Sequence, residues 1–131
     1  MCLKYLVDFE VRSKIGYVIK NKHRFQSKDL YQPLFWHAFG DTLLEIGKEQ
    51  EAITTAKVMC GDGTLTYQSG WHIFKNKRDA IVYGAGFDEV ILKVKYREIL
   101  AKGMEVVENK RGKLINRKVI VARFMTLKEE I

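Results

Sequence analysis

Cys60 and His72 are the residues whose types and spacing could support nucleophilic catalysis. A thiol acts as a nucleophile in its thiolate form, and a nearby imidazole can take its proton. The two residues are twelve positions apart across a glycine-rich segment, so a turn could bring them together. The competing interpretation places Cys60 in the core at a strand end and makes His72 a packing residue.

Gly61 and Gly63 lie in that segment, in the sequence CGDGTLTYQSG, and raise the question of a phosphate-binding loop. A dinucleotide fingerprint needs a third glycine where Thr66 stands, and a P-loop needs a Lys-Ser/Thr pair after its last glycine. Neither pattern is complete. Because Gly-Asp-Gly is a strong turn signal, the sequence predicts a turn between two strands.

Metal ligands are few and scattered: the soft candidates are Cys2, Cys60, His23, His37 and His72. No Cys-x-x-Cys or His-x-x-x-His spacing brings two of them together locally. The sequence therefore predicts no metal and no cofactor. Two cysteines are also too few for a disulfide framework, so we expect reduced thiols.

The charge of the chain favours a polyanionic partner. With 23 basic and 16 acidic residues, the net charge is +7 and the isoelectric point is near 9.4. Sixteen of the basic residues are lysines, which suit attraction to a phosphate backbone better than bidentate recognition of bases. No helix-turn-helix or RNP-type pattern accompanies them.

Two groups of basic residues are the candidate nucleic-acid contacts. Basic loops with an aromatic residue among them can follow phosphates and stack a base. The alternative is that both groups are simply solvated loops. The first group flanks Phe25 and the second lies near the carboxyl end: Lys20, Lys22, Arg24 and Lys28, then Lys110, Arg111, Lys113, Arg117 and Lys118.

The amino-terminal elements that would carry the first group read as strands and a loop. Apolar and polar residues alternate over 3–11, which predicts a half-buried strand. Residues 15–20 read as its partner, so 3–20 form a predicted hairpin, and 20–29 form a polar loop. Lys4, Asp8 and Glu10 interrupt the apolar character that a signal peptide needs.

Residues 33–51 support two interpretations. Phe35, Phe39, Leu43 and Ile46 recur at helical spacing. Interior glycines weaken a helix, and the rival interpretation is two short strands, 34–39 and 42–46. The β-branched run 52–59 predicts a further strand.

The carboxyl-terminal half reads as one helix and a closing hairpin. Asn76 can cap a helix over 77–83 that ends at Gly84, with Asp79 as its capping partner. Strands are predicted over 88–99, 104–108 and 113–127, with a turn at 109–112. The last strand is apolar on both faces, which indicates a central position.

These elements predict one domain over residues 1–131, with an amino-terminal hairpin and basic loop (1–30) and a core (34–127). The predicted fold class is α+β: a small, mainly antiparallel sheet of about five to seven strands with one or two short helices.

Residues 34–127 resemble small phage and prokaryotic domains of unknown function. Those domains have a Gly-aromatic-His-x-Phe motif, then Asp-Ala and Tyr, before a valine-rich strand. The matching residues here are Gly70, Trp71, His72, Phe74, Asp79, Ala80 and Tyr83. The resemblance implies a fold and a mobile-element context and brings no catalytic residues. The lysine-rich chain is also similar in style to small orphan proteins of archaeal viruses.

The strand, Gly-aromatic-x-Phe and helix pattern also resembles part of the ADP-ribosyltransferase fold. "EQE" at 49–51 is similar to the acidic motif of those enzymes, but it precedes "ITT" at 53–55, where the serine-type motif should come first. This order argues against an ADP-ribosyltransferase. The alternative function is a small enzyme with its site at Cys60 and His72, either ADP-ribosyltransferase-like or nucleotide-processing.

The expected function is that of a small basic accessory protein of a virus or mobile element. We expect it to act by binding nucleic acid or a host protein, and not by catalysis. No apolar run approaches the length of a membrane span, so a cytoplasmic location is expected, in the host cytoplasm if the protein is viral. Exposed edge strands in a small sheet favour a homodimer.

Overall fold

The computed structural model describes residues 3–33, 43–52, 54, 57–60, 65–83, 89–109 and 111–131. These residues form a largely β structure, and the predicted antiparallel sheet is confirmed. The α+β expectation overstated the helical part, since the described residues contain one helix of seven residues. The elements in chain order are β1 (Tyr5–Leu6), β2 (Ile15–Phe25), β3 (Lys28–Pro33), β4 (Glu49–Glu51), β5 (Lys57–Cys60), β6 (Leu65–Gln68), β7 (Trp71–Phe74), α1 (Lys77–Tyr83), β8 (Glu89–Glu108) and β9 (Leu114–Glu130).

The closing hairpin is confirmed and is longer than the sequence indicated. β8 and β9 pair from Leu92 opposite Glu130 to Glu108 opposite Leu114. Where the sequence predicted two separate strands, β8 is continuous, and it bends where the register shifts near residues 99–101. Glu98 adopts a positive φ of 58° beside this irregularity. An irregular residue bends a strand without ending it, which is why the polar break in the sequence did not terminate β8.

Four strands form a closed circuit of pairings. β2 pairs with β8, β7 pairs with β9, and Tyr17 of β2 is opposite Phe74 of β7. Since β8 also pairs with β9, the circuit is complete. Gly16 permits this closure, because a Cβ atom there would lie 2.3 Å from Ile73 Cγ2. β9 also pairs with β4, which confirms its predicted central position.

Two apolar clusters lie on opposite faces of these strands. The larger cluster lies inside the circuit and includes Val18, Ile73 and Ile120. The smaller cluster includes Ile19, Phe74 and Val119. Each of these residues is next in sequence to a residue of the larger cluster. Ala80 of α1 also belongs to the smaller cluster, so the helix covers that face. Trp71 and Phe74 are each 1% exposed, as expected of core residues.

The predicted hairpin over residues 3–20 is wrong. Only Tyr5–Leu6 form a strand in its first arm, and they pair with Gly103 and Met104 of β8. β2 cannot accept β1 because its ladder positions are taken by β8, β7 and β3. The alternating pattern instead reflects a segment that crosses the end of the circuit and packs Phe9 and Val11 against the larger cluster.

The predicted loop over 20–29 is also wrong. β2 continues to Phe25 and turns through Gln26 and Ser27, which have φ values of 49° and 65°. β3 then returns beside it, so the segment is a two-stranded arm. Side chains near its tip are exposed on both faces. The sequence of these strands therefore lacks the alternation of apolar and polar residues by which strands are recognised.

The ambiguous segment is described only in part, since residues 34–42 lie outside the described ranges. Over 43–51 the structure contains no helix: Leu44 bridges to Tyr31, Ile46 and Gly47 form a turn, and β4 follows. The strand predicted over 52–59 is confirmed for its last residues, which belong to β5 and pair with β6; residues 53, 55 and 56 lie outside the described ranges.

The predicted helix over 77–83 is confirmed as α1. Asn76 precedes it, and the Asp79 amide donates to the Asn76 carbonyl at 3.1 Å. The Asn76 side-chain amide donates to the Asp79 carboxylate at 3.4 Å. In the described part of the chain, no helix is both long and apolar enough to cross a membrane.

Candidate nucleic-acid interface

The first predicted basic group is largely paired or buried in the β2–β3 arm. Lys22 Nζ lies 2.8 Å from Glu130 and 3.7 Å from Asp29, and Lys28 Nζ lies 2.6 Å from Glu45. Arg24 is exposed. These ion pairs neutralise two of the four basic residues that the sequence assigned to a binding loop.

Lys20 of this group is buried, with 5% of its surface exposed. Its Nζ lies 5.9 Å from the centre of the Trp71 ring, and no carboxylate in the described ranges forms an ion pair with it. Burial disfavours the charged amine and lowers the pKa of Lys20 to about 8. We therefore leave Lys20 out of the candidate interface.

The second predicted basic group is divided by the fold. Lys110 lies outside the described residues. Arg111 and Lys113 are exposed on the turn between β8 and β9, where both of their amides donate to Asn109 Oδ1 at 2.9 Å. Lys118 is half-buried and lies further along β9, away from this turn.

Arg117 of this group is completely buried. Its guanidinium forms an ion pair with Glu105, which is directly opposite on β8. Its Nη1 also donates to the Asp79 carbonyl at 3.5 Å, and its guanidinium carbon lies 4.9 Å from the centre of the Phe74 ring. These contacts join the hairpin to α1, so we assign Arg117 to the structure and not to the candidate interface.

Lys118 is part of a surface that the sequence did not bring together. The Phe9 ring is surrounded by three ammonium groups, those of Lys75, Lys102 and Lys118, at 6.0, 5.8 and 5.5 Å from its centre. We call Phe9, Lys75, Lys102 and Lys118 the lysine cluster. Phe9 itself is half-buried against the larger apolar cluster.

Strand register places Lys75 beside Lys118. Phe74 is opposite Val119 in the β7–β9 ladder, and the Lys75 amide extends that ladder by donating to the Lys118 carbonyl at 3.0 Å. Like charges directly opposite each other are unfavourable. No ion pair to a described carboxylate offsets them. The fold therefore brings two lysines together at neighbouring strand positions without a described carboxylate to pair with either.

Lys102 has a different role in the lysine cluster. It lies on the same face of the hairpin as Lys118, two residues before Met104, the partner of Lys118. Its Nζ donates to the Phe9 carbonyl at 2.9 Å and lies 2.7 Å from the Asp8 carboxylate. This ammonium lowers the pKa of Asp8 through the hydrogen bond. Lys102 thus anchors the segment that carries Phe9, while Lys75 and Lys118 remain available to a ligand.

A cavity of about 390 Å³ adjoins Lys75 and Lys118. The segment that follows Phe9 forms one of its walls through Val11, Arg12 and Ser13. Arg12 adds a third cation, held by Glu10 at 3.0 Å. The lysine cluster therefore continues into a concave site and does not end on a flat surface.

The candidate catalytic residues, Cys60 and His72, do not belong to the lysine cluster. Cys60 ends β5, but its side chain lies outside the described part of the structure, so the dyad stays a prediction. His72 is 7% exposed, with Nε2 2.8 Å from Tyr67 Oη and Nδ1 3.2 Å from the Gly70 carbonyl. Tyr67 Oη in turn accepts the Leu3 amide at 3.2 Å. This chain of bonds gives His72 a structural role that joins the amino-terminal segment to β6 and β7.

Neither phosphate loop nor metal site gains support from the described geometry. Gly61 and Gly63 lie outside it, although Cys60 opposite Leu65 shows that they connect two antiparallel strands. No group of three or more His, Cys, Asp or Glu side chains in the described ranges could hold a metal ion.

Sequence reasoning missed Phe9, Lys75 and Lys102. The alternating pattern did mark Phe9 as inward-facing, but no local pattern relates it to Lys75 or Lys102, which are 66 and 93 residues away. The tertiary fold brings the three together. Comparison with known proteins adds no relative: no family model, no curated protein and no solved structure matches this chain.

Proposed function

We propose that this protein binds nucleic acid and that the lysine cluster is the contact surface. One observation carries the proposal: Lys75 and Lys118 are held side by side next to the Phe9 ring, without a carboxylate partner in the described residues. Phosphates are the ligands that relieve such a charge pair, and an aromatic ring beside them can stack on a base.

Exposed cations on the same hairpin extend the surface. Lys113 lies five residues from Lys118 along this arm, a distance of roughly 16 Å at the rise of an extended strand. Arg111 lies just beyond it on the turn. Their position on the exposed turn supports including Arg111 and Lys113 in the proposed surface, since a nucleic-acid strand long enough to run from Lys118 to this turn would meet their charge.

The wider context of the proposal rests on the sequence alone. We propose an accessory protein of a virus or mobile element, because of the resemblance carried by the Gly70–Phe74 region. A host-protein partner, a homodimer and a cytoplasmic location are further expectations of the same kind. An enzyme with its site at Cys60 and His72 is the competing prediction.

The experiment is a titration of labelled single-stranded and duplex DNA and RNA at about 50 and 200 mM salt. We expect binding that weakens as salt rises, because counterions are released from each neutralised phosphate. The double variant Lys75→Gln/Lys118→Gln should bind roughly fiftyfold more weakly at 50 mM salt. It should also reduce the slope of log K against log salt by about 1.4, the value for two single-strand phosphate contacts.

The matched control is Lys48→Gln/Lys93→Gln. It removes the same charge from Lys48, which is exposed, and Lys93, which is half-buried; these lysines lie within ion-pair distance of Glu45 and Glu129, at 2.8 and 4.0 Å. We expect it to bind within about threefold of the unmodified protein, since no phosphate contact is lost. Equal losses in the two double variants would assign binding to net charge and not to the lysine cluster, and no binding at 50 mM salt would refute the proposed function.

A further inference from the structure

The cavity beside the lysine cluster has the mixed walls of a small-ligand site. Its volume is about 390 Å³, within the range of roughly 300–1,000 Å³ typical of such sites. Val11 and Ile15 make part of the wall apolar, Lys75 and Lys118 make another part cationic, and Glu10 and Arg12 line it as an ion pair. A ligand that matches these walls combines a flat, weakly polar body with an anionic group.

Part of the cavity wall is already ordered by internal hydrogen bonds. Tyr96, which is 2% exposed, donates its hydroxyl to the Ser13 carbonyl at 3.0 Å. The Ile15 amide donates to Ser13 Oγ at 3.1 Å. Because these polar groups are satisfied within the protein, the wall does not need a ligand to complete it. A preformed site of this kind loses little conformational entropy on binding.

We infer that the nucleic acid is single-stranded and that this cavity receives one of its nucleotides. This inference rests on the proposed function. The phosphate lies at Lys75 and Lys118, and the sugar and base lie toward Val11 and Ile15. Bases inside a duplex are stacked on each other and cannot enter a cavity or stack on Phe9, whereas those of a single strand can.

The same geometry indicates tolerance of sequence. Arg12 is the arginine that lines this cavity, and its guanidinium bonds Glu10 through Nε and Nη2 at 3.0 and 3.3 Å. It is therefore not free for the bidentate contact by which arginine identifies guanine. Stacking and backbone charge remain, and both accept any base.

The first test compares a labelled single strand of about 12 nucleotides with the same sequence in a blunt duplex, each at 50 mM salt. We expect the single strand to bind at least about tenfold more tightly, a ratio within the contribution of one stacked base. Phe9→Leu should lose about tenfold for the single strand only, because leucine retains apolar packing but offers no aromatic face. Phe124→Leu, at an aromatic ring away from the cavity, is the matched control and should leave both affinities unchanged.

The second test does not depend on a variant. Adenosine monophosphate and inorganic phosphate are titrated into isotope-labelled protein at equal ionic strength, and backbone amide signals are followed. We expect the nucleotide to shift the signals of Arg12, Ser13 and Ile15, and phosphate alone to shift those of Lys75 and Lys118.

The two proposals fail in different ways. If the single strand and the duplex bind equally and the nucleotide leaves Arg12, Ser13 and Ile15 unshifted, the inference about the cavity is overturned while nucleic-acid binding stands. If neither form binds at 50 mM salt, the proposed function is overturned and the inference falls with it.

Discussion

Among the described residues, two phenylalanine rings have several cations around them, and only one of these sets of cations is fully neutralised. Around Phe124, the guanidinium carbons of Arg97 and Arg123 lie 3.7 and 5.2 Å from the ring centre. We call Phe124, Arg97 and Arg123, with the glutamates that bind them, the arginine cluster. Around Phe9, the lysine cluster has the same combination of aromatic face and positive charge but lacks that set of glutamates.

The glutamates of the arginine cluster hold its cations in place. Arg97 forms two hydrogen bonds to Glu49, at 2.9 and 2.6 Å. Arg123 donates to Glu51 at 2.9 and 2.7 Å and to Glu98 at 3.3 Å. Such bidentate pairs fix geometry as well as charge.

The difference between the clusters follows from what each one must hold. Glu49 and Glu51 belong to β4, a three-residue edge strand, so the arginine cluster fastens β4 to β9 and β8. In the lysine cluster, Lys102 alone fastens a neighbouring segment, through Asp8 and the Phe9 carbonyl. Lys75 and Lys118 contact the Phe9 ring but form no ion pair with a described carboxylate, which is why we propose that they bind a ligand.

Another cation–aromatic contact, in the interior, extends this comparison. Substituting its lysine should have the largest effect on stability. Lys20 faces Trp71 in the interior, where burial lowers its pKa from 10.5 to about 8. Lys20→Met keeps the length of the side chain and removes the buried charge. At pH 7, where the amine is protonated both folded and unfolded, we expect the variant to be on the order of 3 kcal/mol more stable.

The sign of the pH dependence tests the cause. Between pH 8 and 10.5 the unfolded amine keeps its proton while the folded amine loses it, so the stability of the unmodified protein rises with pH. The advantage of Lys20→Met should therefore shrink to about 1 kcal/mol near pH 9.5, as measured by urea unfolding. Lys93→Met, at a half-buried lysine that pairs with Glu129, is the control. An advantage that stays constant with pH would show that the Lys20 amine is solvated.

Adding a carboxylate to the lysine cluster, so that it resembles the arginine cluster, should have the next largest effect, on nucleic-acid affinity. Lys118→Glu places a carboxylate opposite Lys75, so one phosphate contact is lost and the other lysine gains an internal partner. We expect single-strand affinity to fall roughly a hundredfold at 50 mM salt, about tenfold for each contact. Fluorescence anisotropy measures the loss. Lys93→Glu changes the net charge equally, and a similar loss there would remove the distinction between the clusters.

The reverse conversion should give a smaller gain. Glu49→Gln/Glu51→Gln, made in the Lys118→Glu protein, leaves Arg97 and Arg123 beside Phe124 with Glu98 as their remaining glutamate. We expect this protein to regain roughly tenfold in affinity for a single strand, because two guanidinium groups that share one carboxylate keep a net positive charge on an aromatic face. The control changes Asp29 to Asn and Glu129 to Gln in the same background, which alters net charge equally without removing a glutamate from Arg97, Arg123 or Arg12. An equal gain in that control would contradict the explanation.

The sequence predicted what depends on neighbouring residues. The helix over 77–83 follows from Asn76 and Asp79, three positions apart. The closing hairpin follows from alternation and a turn at 109–112, where Asn109 accepts two amide hydrogen bonds. In both, the stabilising contacts lie within a few residues, so their pattern is visible in the chain.

The candidate site depends on distant pairings and could not be predicted in the same way. Lys118 was identified because it lies in a basic run, but so was Arg117, and side chains at successive strand positions point to opposite faces. That alternation gives Arg117 a buried partner in Glu105 and brings Lys118 to Phe9. Arg117 and Lys118 differ in the face of β9 that each side chain occupies, and charge composition does not show this.

The smallest expected effect separates the clusters without any ligand. Lys75→Gln removes the repulsion between two lysines that face each other, so we expect the protein to gain about 0.5 kcal/mol of stability in urea unfolding at low salt. Arg97→Gln removes an attraction to Glu49 and should lower stability under the same conditions. Salt at about 1 M should reduce both changes, because the Debye length falls to roughly 3 Å. Loss of stability in Lys75→Gln at low salt would mean that an internal carboxylate already neutralises Lys75, and the lysine cluster would then resemble the arginine cluster in charge as well as in form.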